Sequence, residues 1–179
     1  MTVKNPRRLV LLVMNVIAFQ GAWFACVLGA ARGAPGWGIA AVAGAVALQF
    51  LVSDARSRDA ALLITAIAAG VAWDTAMTRA GIVVYASPGP VAGWAPAWIV
   101  ALWALFATVL REPLRWLHGR WGLSAFVGGL GGALSYWSAV RLGAGRFPDF
   151  WLAMGVLAVG WAVITPSLTE FARWLDKGR

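Results

Sequence analysis

Apolar and polar positions alternate along this chain in long blocks, not at the spacing of an amphipathic soluble helix. A helix crossing the hydrocarbon core of a bilayer needs about 20 mostly apolar residues. Six stretches approach that length and predict membrane helices over Leu9–Ala31, Trp37–Ser53, Ala60–Met77, Trp94–Leu110, Gly122–Leu142 and Phe150–Phe171. Pro166, late in the last stretch, is expected to kink that helix or end its membrane part. The first run follows Lys4, Arg7 and Arg8, as a signal peptide would, but it is longer than the usual apolar region of a signal. Another hydrophobic segment follows at once, so it reads as the first membrane helix. The expected fold is all-α: one transmembrane domain over residues 1–179, a six-helix bundle with antiparallel neighbours.

The polar segments between these runs set an orientation. Arg and Lys on the side of the termini are Lys4, Arg7, Arg8, Arg56, Arg58, Arg111, Arg115, Arg120, Arg173, Lys177 and Arg179, a total of 11. The other side holds Arg32, Arg79, Arg141 and Arg146, a total of 4. The positive-inside bias places both termini in the cytoplasm. Arg111–Trp121 reads as a charged loop with an aromatic anchor, the alternative being that Leu114, Trp116 and Leu117 lie on lipid while the arginines face head groups. In the longest loop on the opposite side, Ile82–Tyr85 is expected to form a small interfacial element.

Two segments resemble one another. Trp23–Trp37 (WFACVLGAARGAPGW) and Trp137–Trp151 (WSAVRLGAGRFPDFW) share the pattern W-x4-LGAxR-x4-W at an offset of 114. Each covers the end of an outgoing helix, a turn and the start of the returning helix, as a repeated hairpin (helices 1–2 and 5–6) would. Parallel repeats of this kind occur in transporters.

Composition agrees with lipid as the solvent. Hydrophobic residues make up 61% of the chain and charged residues 12%, with 12 Trp and 21 Gly. The net charge of +8 raises nucleic acid as a partner. The basic residues instead form short clusters between apolar runs, which suits anionic head groups and argues against nucleic acid. The one cysteine, Cys26, lies inside an apolar run and reads as a small buried hydrophobe.

Candidate chemistry is sparse. Asp74, late in the third helix, is the outstanding residue, because an ionisable group inside a membrane helix is expensive unless paired or wetted. Arg141, at the end of the fifth helix, is its natural ionic partner unless it snorkels to the interface, and Arg79 is the alternative partner. Tyr136 and Ser135 lie one to two turns deeper. Asn15 and Gln20 in the first helix are able to hydrogen-bond across helices. The glycines of residues 128–132 are expected to allow close helix packing. Asp54 and Asp59, flanking Arg56 and Arg58, read as a solvated turn. His118 stands alone among arginines. No spacing of ligands predicts a metal site, and no motif predicts a cofactor.

The segments Asn15-x4-Gln20-x2-Trp23-Phe24, Leu28-Gly29-Ala30, Trp73-Asp74, Gly81, Pro96-x-Trp98 with Leu102-Trp103, and Ser135-Tyr136 with Leu142-Gly143-Ala144 resemble a family of small, uncharacterised bacterial inner-membrane proteins defined as a domain of unknown function. The resemblance covers nearly the whole chain and implies the bacterial inner membrane as its location. Members of that family are often encoded near enzymes that modify membrane fatty acids, which implies a lipid-related role. It supplies no catalytic residue.

Three functions fit these observations. The first is binding or helping to process membrane lipid or another hydrophobic small molecule, with Asp74, Arg141 and Tyr136 at the polar end. The second is a small-solute or proton-coupled carrier using Asp74. The third is a membrane scaffold without chemistry of its own. A chain of 179 residues leaves little room for an internal aqueous path, so assembly as a homo-oligomer is compatible with each.

Overall fold

A computed structural model describes residues 6–177 and places them in six α-helices joined by short connections. The helices are α1 (Pro6–Ala31), α2 (Pro35–Val52), α3 (Arg56–Arg79), α4 (Ala97–Leu110), α5 (Trp121–Arg141) and α6 (Phe150–Lys177). A 3-10 turn spans Arg115–Leu117. Pro35 opens α2 at its first turn, where the missing N–H has no intrahelical role. Consecutive helices pack as hairpins: α1 on α2, α3 on α4, and α5 on α6.

Five of these helices are long and apolar enough to cross a membrane. The sixth, α4, has 14 residues, about 21 Å at 1.5 Å per residue, against a hydrocarbon core of about 30 Å. The apolar pattern runs back to Trp94, but Pro96 sits in extended conformation as the cap and the helix begins after it. α4 is nevertheless the hub of the bundle and packs against α1, α2, α3 and α6. Pro166 does not end α6, which continues to Lys177. Beside it, the Ser167 hydroxyl donates to the Val163 carbonyl at 2.8 Å, one way a proline-containing membrane helix ties down its polar backbone.

The all-α expectation misses one feature. Residues Val84–Tyr85 (β1) and Gly145–Arg146 (β2) form a two-stranded antiparallel ribbon, with Val84 opposite Arg146 and Tyr85 opposite Gly145. The segment expected to lie at the interface therefore folds inward, and Val83 and Tyr85 are buried. The ribbon ties the α3–α4 loop to the α5–α6 loop.

The internal repeat acquires a specific meaning at this ribbon. Ala30 and Ala144 are matched positions, and both are buried. The Ala30 carbonyl accepts from the Ser87 hydroxyl at 2.7 Å, and the Ala144 carbonyl accepts from the Ala86 N–H at 2.9 Å. The two matched carbonyls thus bind neighbouring residues of the same loop. Their matched glycines differ: Gly29 is inside α1, whereas Gly143 (φ +91°) takes the left-handed conformation after α5. In α1 that role falls to Gly33 (φ +72°).

Exposed tryptophans mark both ends of the bundle. Trp37, Trp94 and Trp151 lie at the ribbon end, and Trp116, Trp121 and Trp174 at the other. Two such belts are what a multi-pass membrane protein places at its two interfaces.

Candidate functional site

Asp74 lies in α3, a little over one turn before the helix ends, and is completely buried. Three groups donate to its carboxylate. The Tyr136 hydroxyl of α5 reaches Oδ1 at 2.7 Å, the Trp103 indole N–H of α4 reaches Oδ2 at 2.6 Å, and the Tyr85 hydroxyl of β1 makes a short bond to Oδ1. These are the only two tyrosines in the chain, and both serve one carboxylate. Four separate elements meet at this group. These bonds offset part of the desolvation that burial imposes on the carboxyl.

The sequence brings this cluster together through glycine. A Cβ at Gly70, one turn before Asp74, would stand 2.0 Å from Trp103 Cγ, so only glycine lets the indole lie against α3. Gly132 of α5 makes the same notch for Trp161, where a Cβ would stand 2.1 Å from Cγ. Gly128 fits against Thr165 in the same way. The close-packing role expected of the α5 glycines is therefore present at Gly128, Gly129 and Gly132. Trp161 in turn stacks on Trp103, with centroids 4.8 Å apart and rings 10° from parallel. Tyr85 meets Trp98 edge to face at 5.4 Å.

The expected ionic pairing of Asp74 is not what forms. Arg141 is exposed at the end of α5. Arg79 donates to the Gly93 carbonyl at 3.3 Å and lies over the Trp94 ring. An arginine at a helix end reaches water with its own stem, whereas phenol and indole donors are available inside the apolar bundle. Tyr136 is where the sequence reading put it, beside Asp74. Tyr85, Trp103 and Trp161 were missed.

Beside the cluster runs an elongated groove of about 590 Å³. Its lining includes Phe19, Gln20 and Trp23 of α1 and Gly131, Ser135 and Tyr136 of α5. On α5 the lining extends from Val127 to Val140, about 20 Å along the axis. Tyr85, Trp103 and Tyr136 form part of its wall, with Asp74 directly behind them. Val16, Phe24 and Leu134, in the middle of their helices, belong to the same lining and are exposed, so the groove opens sideways at membrane depth. A bond from Trp23 Nε1 to Ser135 Oγ at 3.1 Å bridges α1 and α5 across it. Trp161 of the lining bonds to the Tyr136 hydroxyl, and Thr165 Oγ1, also on the lining, is buried without a partner among the described residues.

Other predicted residues fall elsewhere. Asn15 ties α1 to α2 and α4, donating to Gln49 Oε1 at 2.9 Å and to the Thr108 carbonyl at 3.4 Å. It plays no part in the Asp74 cluster, whereas Gln20 lies on the groove. Cys26 is buried, its Sγ 3.8 Å from the Trp98 carbonyl. His118 Nε2 lies 2.9 Å from the Leu110 carbonyl. Trp116 is exposed, but Leu117 turns into the core and Leu114 packs against it, so these three do not share one lipid-lying face.

The terminal side of the bundle carries a second polar cluster. Arg111, just after α4, pairs with Asp59 and Asp54 at 2.8 Å each and with Asp176 at 3.6 Å. Burial opposes its charge, but the surrounding carboxylates, Asp59 foremost, raise the guanidinium pKa overall. The Asp54–Asp59 turn is thus not simply solvated, since the Asp59 side chain is only 7% exposed. The cluster joins the α2–α3 turn, α4 and the end of α6. Among the described residues no group of His, Cys, Asp and Glu is placed to hold a metal ion.

A family model described as "Protein of unknown function (DUF2878)" matches residues 12–167. The matched region includes Asp74, both tyrosines, Trp103, Trp161 and Thr165. No curated protein and no solved structure matches the chain.

Proposed function

The chain belongs to this family of unknown function, and we propose from the geometry of the site that it binds a membrane lipid, taking the hydrocarbon chain into the groove between α1 and α5 and its polar end against the Asp74 cluster. One observation carries this reading: a long apolar groove that opens sideways between two membrane helices and ends on convergent polar groups. Its volume of about 590 Å³ falls in the range of sites that enclose small molecules, and such sites combine apolar walls with a few placed polar groups. A scaffold without chemistry needs neither the groove nor three donors on one carboxylate. In this reading α4 completes a six-helix bundle, both termini are cytoplasmic, and the Asp74 cluster lies toward the outer leaflet of a bacterial inner membrane.

Mass spectrometry of the purified protein tests the reading. No atom lies within 4 Å of where a Cβ at Gly131 would stand, so Gly131→Phe fills the groove without disturbing the α5–α6 contact. The wild type is expected to retain lipid through gentle detergent exchange and Gly131→Phe to lose it. Equal retention by two equally folded proteins would overturn the proposal.

A further inference from the structure

Resting on that binding reading, we infer that the groove selects an uncharged hydroxyl-bearing lipid, such as a long-chain alcohol or an acylglycerol, over one with an anionic head. The directions of the hydrogen bonds carry this inference. A phenol has one proton, and Tyr85 and Tyr136 both give theirs to Asp74 Oδ1. Trp103 gives its only N–H to Oδ2. All three residues line the groove, so what the two phenols offer a ligand is oxygen lone pairs. A head group docking there has to donate.

A phosphate diester or carboxylate has no proton to donate and meets the Asp74 charge directly behind the wall. Another polar atom on the lining takes the opposite role. Thr165 Oγ1, a hydroxyl on the same groove, is unpartnered among the described residues. An ammonium donates but cannot accept from the Thr165 hydroxyl. A hydroxyl does both, and a site built around a hydroxyl rejects analogues that lack one.

The test is displacement of a spin-labelled acyl probe from the full-length protein in phosphatidylcholine nanodiscs. The competitors share a hexadecyl chain: the alcohol, the methyl phosphate diester and the primary ammonium. The alcohol is expected to compete at a concentration at least tenfold below that of the phosphate. Asp74→Asn should shrink that ratio to below threefold. Should that variant fail to fold, Tyr136→Phe should weaken the alcohol and leave the phosphate unchanged. Equal or better competition by the phosphate would overturn the hydroxyl preference and leave the groove reading intact. Best competition by the ammonium would also overturn it, in favour of plain attraction to Asp74. A probe that never occupies the groove would remove both.

Discussion

Replacing Asp74 by alanine should destabilise the protein by about 3 kcal/mol. The substitution strands two phenol hydroxyls and one indole N–H. Each bond to a charged acceptor contributes about 1.5–3 kcal/mol, so the three together represent about 4.5–9 kcal/mol. The variant also no longer buries a carboxyl, which returns several kcal/mol. Water entering from the groove compensates part of the remainder at the tyrosines. A double-mutant cycle isolates the interaction from these offsets. Asp74→Ala, Tyr136→Phe and the double variant would be unfolded reversibly in mixed micelles and followed by circular dichroism. A coupling energy of about 1.5–2 kcal/mol is expected for this pair. A coupling within about 0.3 kcal/mol of zero would refute the claim that Tyr136 holds the carboxylate.

Arg111→Ala should cost about 3–5 kcal/mol, because it leaves Asp59 buried without its partner. Asp54→Ala, whose side chain is 79% exposed, should cost under about 1 kcal/mol; thermal melts that rank the two the other way would contradict the cluster. Gly132→Leu should destabilise by about 1–3 kcal/mol or more through overpacking against Trp161. Gly131→Ala should be neutral or slightly stabilising, and equal melting shifts for the two would count against the glycine notch. Burial, and then the Asp74 carboxylate, hold the Tyr85 phenol well above the ordinary tyrosine range. The folded state therefore keeps a proton that the unfolded chain loses above about pH 10, so stability is full below that pH and falls as pH rises past it. The melting temperature should fall less between pH 9 and 11 in Tyr85→Phe than in the wild type, and an identical fall would contradict this linkage.

Much of the bundle was legible because lipid imposes simple rules on sequence. Long apolar runs predicted the positions of all six helices, and Asp74 stood out as a carboxylate well inside such a run, whereas Glu170 sits at the very end of the last. Its partners were harder to read. Charge complementarity favours arginine, yet Arg141 sits at a helix end where water is within reach. Tyr85 was missed because its position depends on the β1–β2 ribbon, a contact between loops 60 residues apart in sequence. A usable signal did exist: the chain has only two tyrosines, and a buried phenol needs a hydrogen-bond partner. Trp103 and Trp161 were hidden among 12 tryptophans, and only the facing Gly70 and Gly132 distinguish them from interface anchors. Asp59 was read as solvated because nothing local shows that Arg111, 52 residues away, closes over it.

The occupancy of the groove is the claim on which the rest depends, and photolabelling measures it most directly. A phosphatidylcholine or diacylglycerol carrying a diazirine along its acyl chain would be illuminated with the protein in nanodiscs, and the labelled peptides mapped. Labelling concentrated on the groove faces of α1 and α5, around residues 16–24 and 127–142, and abolished by Gly131→Phe, is the predicted result. Labelling spread over outward-facing residues such as Ile64, Val159 and Val163 in proportion to their exposure would contradict it.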